Sequence, residues 1–205
     1  MELLGGRRGA LDAATAPVVF VAGWLLTNRS VGWASALALA AAVVVAVLRW
    51  RRGAKPYAVL VGLLGVAVSA YVALRTGRAA DFFLVQLASN AMSALVWLVS
   101  MAVRWPLLGV VAGGVLGQRT RWRRDPGLLR AYTVASWAWV GQYLVRVVVF
   151  GALYWASFTW TWAVVGLGAA RVVLSWPLVA ASLAVSWWLL RRSLPAGHPG
   201  IRHPR

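Results

Sequence analysis

Long apolar runs separated by short basic breaks set the rhythm of this chain. The runs cover Ala13 to Thr27, Val31 to Leu48, Tyr57 to Leu74, Phe82 to Val103, Ala131 to Tyr154 and Ala163 to Leu190. A helix needs about 20 predominantly apolar residues to cross the hydrocarbon core of a bilayer, so six runs of this kind predict six transmembrane helices. The first run is the shortest and has Pro17 near its start, where a missing N–H costs little. Leu107 to Gly117 is apolar but too short to cross, which predicts a re-entrant or interfacial helix. The expected fold is therefore all-α: a polytopic membrane bundle of about six transmembrane helices, with a short extra helix near 107–117. It divides into an N-terminal segment 1–12, a transmembrane domain 13–190 and a disordered tail 191–205. Basic residues before the first run and Ala34-Ser35-Ala36 after it resemble a signal peptide. Asn28 and Arg29 break the run well before that point, so cleavage is not expected.

The breaks set the orientation. Arg49-Trp50-Arg51-Arg52 through Lys55 follows the second run, and Arg119, Arg121, Arg123, Arg124 and Arg130 precede the fifth. Lys and Arg concentrate in cytoplasmic loops. With both termini inside, all of the 21 basic residues except Arg29, Arg75, Arg78, Arg146 and Arg171 fall on the cytoplasmic side. The uncharged segment Trp155 to Trp162 then lies on the far side as an aromatic belt. Two three-helix halves of opposite topology are a layout used by transporters. Trp105-Pro106-Leu107 and Trp176-Pro177-Leu178 echo each other, but at depths that are not equivalent.

Composition sharpens this picture. Of 205 residues, 61% are hydrophobic and 12% charged, and the net charge is +17. A soluble domain is about 25% charged. The excess positive charge sits in short loops flanked by membrane segments, so nucleic acid is not an expected partner. The expected partners are the bilayer itself, anionic lipids at the cytoplasmic arginine loops, and a small-molecule or lipid ligand; a homo-oligomer stays open. With no cysteine, disulfides, thiolate metal sites and a cysteine nucleophile are excluded. His198 and His203 lie in a Pro/Gly/Arg tail, which leaves no histidine for a metal or triad site within the membrane. No metal and no cofactor is expected.

One stretch stands out, Arg75 to Asn90, which joins the third and fourth runs and holds Asp81, one of only four acids. By depth, Arg75, Arg78 and Asp81 lie at the outer ends of helices three and four, with Gln86 and Asn90 one to two turns further in. Arg146, Tyr154 and Arg171 lie in the same half of the bundle. Charge inside a membrane faces the bundle interior, a cavity or a partner. The candidate ligand-binding set is Arg75, Arg78, Asp81, Asn90, Arg146, Tyr154 and Arg171, an outward-facing pocket for an anionic group held by guanidinium contacts. Equally, Asp81 could pair with Arg146 or Arg171 to fix helix packing. Of the 14 tryptophans, Trp24, Trp97, Trp137, Trp139 and Trp176 are too deep for the interfacial belt and fill core or line an apolar cavity.

These blocks also carry a resemblance. Thr76 to Leu84 (TGRAADFFL), Asn90 to Ser100, Val103 to Gly109 (VRWPLLG), Trp122 to Pro126 (WRRDP), Leu153-Tyr154, Trp176 to Leu178 and Pro17 to Phe20 occur in order. Together they resemble an actinobacterial multi-pass membrane family, domain-of-unknown-function family 3159, over residues 5 to 190. Ser93 and Val179 stand where that family usually has an aromatic, and Trp105 where a second basic residue is usual. A looser similarity is to intracellular septation protein A. The resemblance implies the membrane fold and a bacterial cytoplasmic membrane, and brings no assigned activity. Three functions fit the residues: binding or transport of a small anionic or amphiphilic molecule, a structural or partner-binding envelope protein, and a membrane enzyme of the lipid or terpene-cyclase type. The last would use Asp81 as its acid and a Trp-lined cavity.

Overall fold

The computed structural model describes residues 6–117 and 120–194. His198, His203, Arg119 and residues 195–205 of the tail expected over 191–205 lie outside the described residues, while 191–193 of that tail are helical. The described residues form eight α-helices and two 3-10 turns, with no strand among them. The helices are α1 (Gly6–Leu26), α2 (Val31–Arg51), α3 (Pro56–Thr76), α4 (Leu84–Ala102), α5 (Leu107–Val115), α6 (Pro126–Ala156), α7 (Ala163–Val173) and α8 (Trp176–Ser193). The 3-10 turns are Ala79–Phe83 and Arg121–Arg124.

Four helical stretches are long and apolar enough to cross a membrane: α2, α3, residues Ala79–Ala102, and α6. The pair α7 and α8 makes a fifth if the two count as one broken span, and Ala14–Leu26 is a shorter apolar helix. Large apolar side chains lie exposed on these helices, among them Val61, Leu64 and Val148. Apolar patches of that extent are met in soluble proteins only at interfaces; in lipid they are the normal exterior. The chain is a multi-pass membrane protein.

Three boundaries differ from the apolar runs. First, α1 begins at Gly6, so Pro17 sits in its middle rather than at its start. Helix formation does not stop at the polar Asp12, because a charge near the start of a helix, ahead of its apolar stretch, costs little. Second, the sixth run is broken at Leu174 and Ser175, just before Pro177. Proline lacks the N–H and crowds the carbonyl four residues back, so the helix restarts with Pro177 in its first turn. Third, α6 starts at Pro126, five residues before its apolar run. As expected, α5 is short: it has nine residues, at about 1.5 Å per residue far short of a crossing, and it packs on the arginine-rich turn at Trp122.

The helices sort into two compact units, residues 1–88 with 148–176 and residues 89–147 with 177–205. In the first, α2 and α3 present alanines (Ala34, Ala38, Ala70, Ala73) that are fully buried, and α1 adds Phe20, Val21 and Trp24. Small residues let membrane helices approach closely. A Cβ at Gly168 of α7 would stand 2.7 Å from Cγ2 of Val21, so α7 packs on α1 with no side chain between. Helix α3 ends at Gly77, whose φ of 70° is the left-handed cap that a glycine adopts without strain. The chain then turns inward, and all five residues of Ala79–Phe83 are buried. Phe20 stacks on Phe82 with centroids 4.0 Å apart, and Phe83 meets Phe20 edge-on.

The second unit is built around Trp122, buried with Leu128, Ala131, Tyr132, Ala135 and Leu190. Its ring lies where a Cβ of Gly109 would be, 2.8 Å away. Asp125 caps α6 through Oδ1, which accepts from the backbone N–H groups of Gly127 and Leu128 at 3.0 and 3.2 Å. Pro126 follows at the first helical position, the usual start of a helix after an acidic cap. Ser186 of α8 donates to the carbonyl of Ala135 at 3.0 Å, and Trp97 of α4 stacks on Trp139 of α6 at 5.2 Å.

Candidate functional site

The reversal at Gly77 puts Arg75 and Arg78 on different surfaces. Arg75, still on α3, turns back along its own helix, where Nε donates to the hydroxyl of Tyr71 at 3.1 Å. Arg78 lies in the turn beyond the cap, and its guanidinium stacks 3.7 Å above the ring of Phe158. Asp81 is 3% exposed. Its Oδ1 accepts a hydrogen bond from the Tyr154 hydroxyl at 2.8 Å and faces Nη1 of Arg78 at 3.9 Å. Arg78, Asp81 and Tyr154 therefore come together as expected from depth. Phe158, which the sequence offered only as belt, completes the group. The guanidinium is held between a carboxylate and two rings, since Tyr154 also lies 5.4 Å beneath it. Such a cation–π contact contributes about 0.5–2 kcal/mol, more as water is excluded. Chemically this is a brace that ties the turn after α3 to the end of α6.

Arg171 faces another part of the same unit. It lines a cavity of about 140 Å³ together with Asp12, Arg49, Ala42, Leu63 and Val66. The cavity lies between the Asp12 end of α1, the Arg49 end of α2, the first half of α3 and α7. On α1, Asp12 stands eight residues before Phe20, about 12 Å along a helix, and Phe20 is the residue stacked on Phe82 beside Asp81. Asp12 also faces Arg52 at 3.6 Å. Nη1 of Arg49 passes close to α3, 4.0 Å from where a Cβ of Gly62 would be. With two guanidinium groups and one carboxylate, the lining is net positive, and its remaining wall is aliphatic. Asp12 and Arg49 were not among the residues singled out from depth. The spacing Asp12, Ala16, Phe20, Trp24 on one helical face was the available clue.

Asn90 and Arg146 belong to the second unit. Asn90 is buried, and Arg146 is half-buried with its guanidinium 5.7 Å from the ring of Tyr143. On the same helix as Arg146, the side chains of Tyr132, Trp139 and Gln142 each hold a buried polar atom with no hydrogen-bond partner among the described residues. No group of three or more His, Cys, Asp or Glu side chains able to hold a metal occurs among the described residues.

No curated protein and no solved structure matches this chain. A family model does match it, over residues 4–197, and its description is "Protein of unknown function (DUF3159)". The matched span includes the brace at Asp81, the cavity at Arg171 and both arginine-rich breaks, so the chain belongs to the DUF3159 family.

Proposed function

We propose that this membrane protein binds a small anionic group, a phosphate or carboxylate, in the cavity between α1, α2, α3 and α7. The observation behind the reading is the cavity itself, with Arg49 and Arg171 over aliphatic walls. Guanidinium groups match carboxylate and phosphate oxygens in geometry as well as charge. Size narrows the ligand. Sites for drug-sized molecules run to about 300–1,000 Å³, so a cavity of about 140 Å³ takes a headgroup or a small free anion and not a whole large substrate. The aliphatic wall of Ala42, Leu63 and Val66 favours an amphiphile whose chain continues between helices. Arg49 opens the basic segment Arg49–Lys55, so the positive-inside bias puts this binding on the cytoplasmic side of a bacterial cytoplasmic membrane. Passing the bound anion across the membrane is the transport form of the same reading.

Native mass spectrometry of the purified protein with its co-extracted lipids and metabolites tests this. The wild type is expected to retain an anionic species that the Arg49→Ala/Arg171→Ala variant loses while staying folded. Retention of the same species by the double variant would overturn the proposal, as would a wild type that holds no anion even after inorganic phosphate and anionic lipid are added. A second reading, a structural or partner-binding envelope protein, is favoured by one feature: Asp81 is already engaged by Tyr154 and Arg78.

A further inference from the structure

The polar groups of α6 in the second unit form a row that packing alone does not account for. At 100° per residue, Tyr132, Ser136, Trp139, Gln142, Tyr143 and Arg146 fall on one face of the helix, within about a third of its circumference. Leu144, Val145 and Val148 take the opposite, exposed side. Gln142 is 3% exposed, yet neither its amide oxygen nor its amide nitrogen has a hydrogen-bond partner among the described residues. The same holds for Nε1 of Trp139 and for the hydroxyl of Tyr132, which is fully buried. Buried polar groups of folded proteins are hydrogen-bonded in the great majority of cases, to protein or to ordered water. Four orphaned atoms on one helical face point to a shared occupant.

Spacing identifies the occupant. Along a helix that rises about 1.5 Å per residue, successive members of the row stand about 4.5–6 Å apart, the adjacent pair Gln142 and Tyr143 excepted. One water bonded to both neighbours, at about 2.8 Å each, bridges about 5.5 Å. The groups are also chemically matched to water: the indole N–H and amide NH2 donate, while the amide oxygen and the Tyr132 and Ser136 hydroxyls can accept. Ser136 spends its own proton on the carbonyl of Tyr132 at 2.7 Å, which leaves its oxygen as an acceptor. At the end of the row stands Arg146, and an intramembrane guanidinium faces the bundle interior or a water-filled cavity. We infer that this face of α6 lines a file of bound water running from Tyr132 to Arg146, a path for small polar solutes through the apolar part of the unit.

Hydroxyl-radical footprinting of the full-length protein in lipid nanodiscs tests this, because labelling requires water beside the side chain. Trp122 is the internal control: it is as buried as Tyr132 and meets it edge-on at 5.6 Å. After correction for intrinsic reactivity, Tyr132 and Trp139 are expected to be labelled several-fold more than Trp122. Gln142→Leu interrupts the file, so labelling of Trp139 should fall to the control level. Labelling of Tyr132 and Trp139 no greater than that of Trp122 in the wild type would overturn the inference. So would unchanged labelling of Trp139 in folded Gln142→Leu. If that variant does not fold, Gln142→Met removes the amide at nearly constant length and is read in the same way.

Discussion

The two units treat buried polar groups in opposite ways. In the first, Asp81 is 3% exposed and its carboxylate is met by a tyrosine hydroxyl and an arginine, with the arginine in turn packed on Phe158. In the second, Tyr132, Trp139 and Gln142 keep polar atoms buried with no hydrogen-bond partner among the described residues. The first unit is not free of such atoms, but Ser35 Oγ and Nη2 of Arg78 are isolated, not aligned. A buried donor or acceptor left unsatisfied costs about 1–3 kcal/mol, and leucine at position 142 would avoid that cost altogether. Polar groups that complete one another make a brace. Polar groups that share a face and lack partners mark a place where stability has been given up for something else.

The largest effect is expected where the first unit concentrates its packing. Phe20→Ala removes a fully buried ring stacked on Phe82 at 4.0 Å. Large aromatic truncations in cores cost about 3–5 kcal/mol, so the melting temperature in detergent should fall sharply, and Asp81 should lose its anchor because Phe82 is its neighbour. A moderate effect separates the two units by the stiffness of what faces each glycine. Gly109→Ala drives a methyl into the ring of Trp122, which is walled in on every side, whereas Gly168→Ala meets only a methyl of Val21. Overpacking costs about 1–3 kcal/mol, with Gly109→Ala toward the upper end and Gly168→Ala toward the lower. Equal melting shifts for the two would show that Trp122 can move, and the second unit would be softer than its contacts indicate.

Much of this architecture was legible in the chain. Apolar runs near 20 residues have few alternatives to a membrane span, although they put the start of α6 at Ala131 and missed the Asp125 cap that starts it at Pro126. What the runs could not supply is the neighbour of each side chain. Depth put Arg171 at the height of the Asp81 group, whereas it lines the cavity at Asp12, about 12 Å along α1 from Phe20; its neighbours are set by how α7 packs on α1. That depends on Gly168 lying against Val21, a close approach visible only in three dimensions. Arg75 and Arg78, three residues apart, part company because Gly77 reverses the chain between them. The cavity went unseen because Asp12 reads as part of a polar terminus, while helix α1 carries it into register with Ala16 and Phe20. Conversely, that Asp81 meets a cation and a donor was readable, since an acid in an apolar layer must; the choice of Arg78 over Arg146 or Arg171 was not.

The smallest expected effect is the most discriminating, because one substitution is expected to destabilise the first unit and to leave the second nearly unchanged. Tyr154→Phe deletes a hydroxyl that donates to a buried carboxylate at 2.8 Å. Hydrogen bonds to charged groups contribute about 1.5–3 kcal/mol, and the loss should sit at the low end because Arg78 remains beside Asp81. Tyr132→Phe deletes a hydroxyl of the same chemistry, fully buried and without a hydrogen-bond partner among the described residues. Here the ring keeps its edge-on contact with Trp122, and what is removed is a desolvated polar atom. If the cavity around it were dry, the variant would melt higher by the equivalent of about 1 kcal/mol or more. If the hydroxyl bonds to water in the α6 row, that bond is lost together with the group, and the shift shrinks toward zero. A destabilisation of Tyr132→Phe as large as that of Tyr154→Phe would mean that both hydroxyls are structural bonds, and the distinction between a braced unit and a hydrated one would fail.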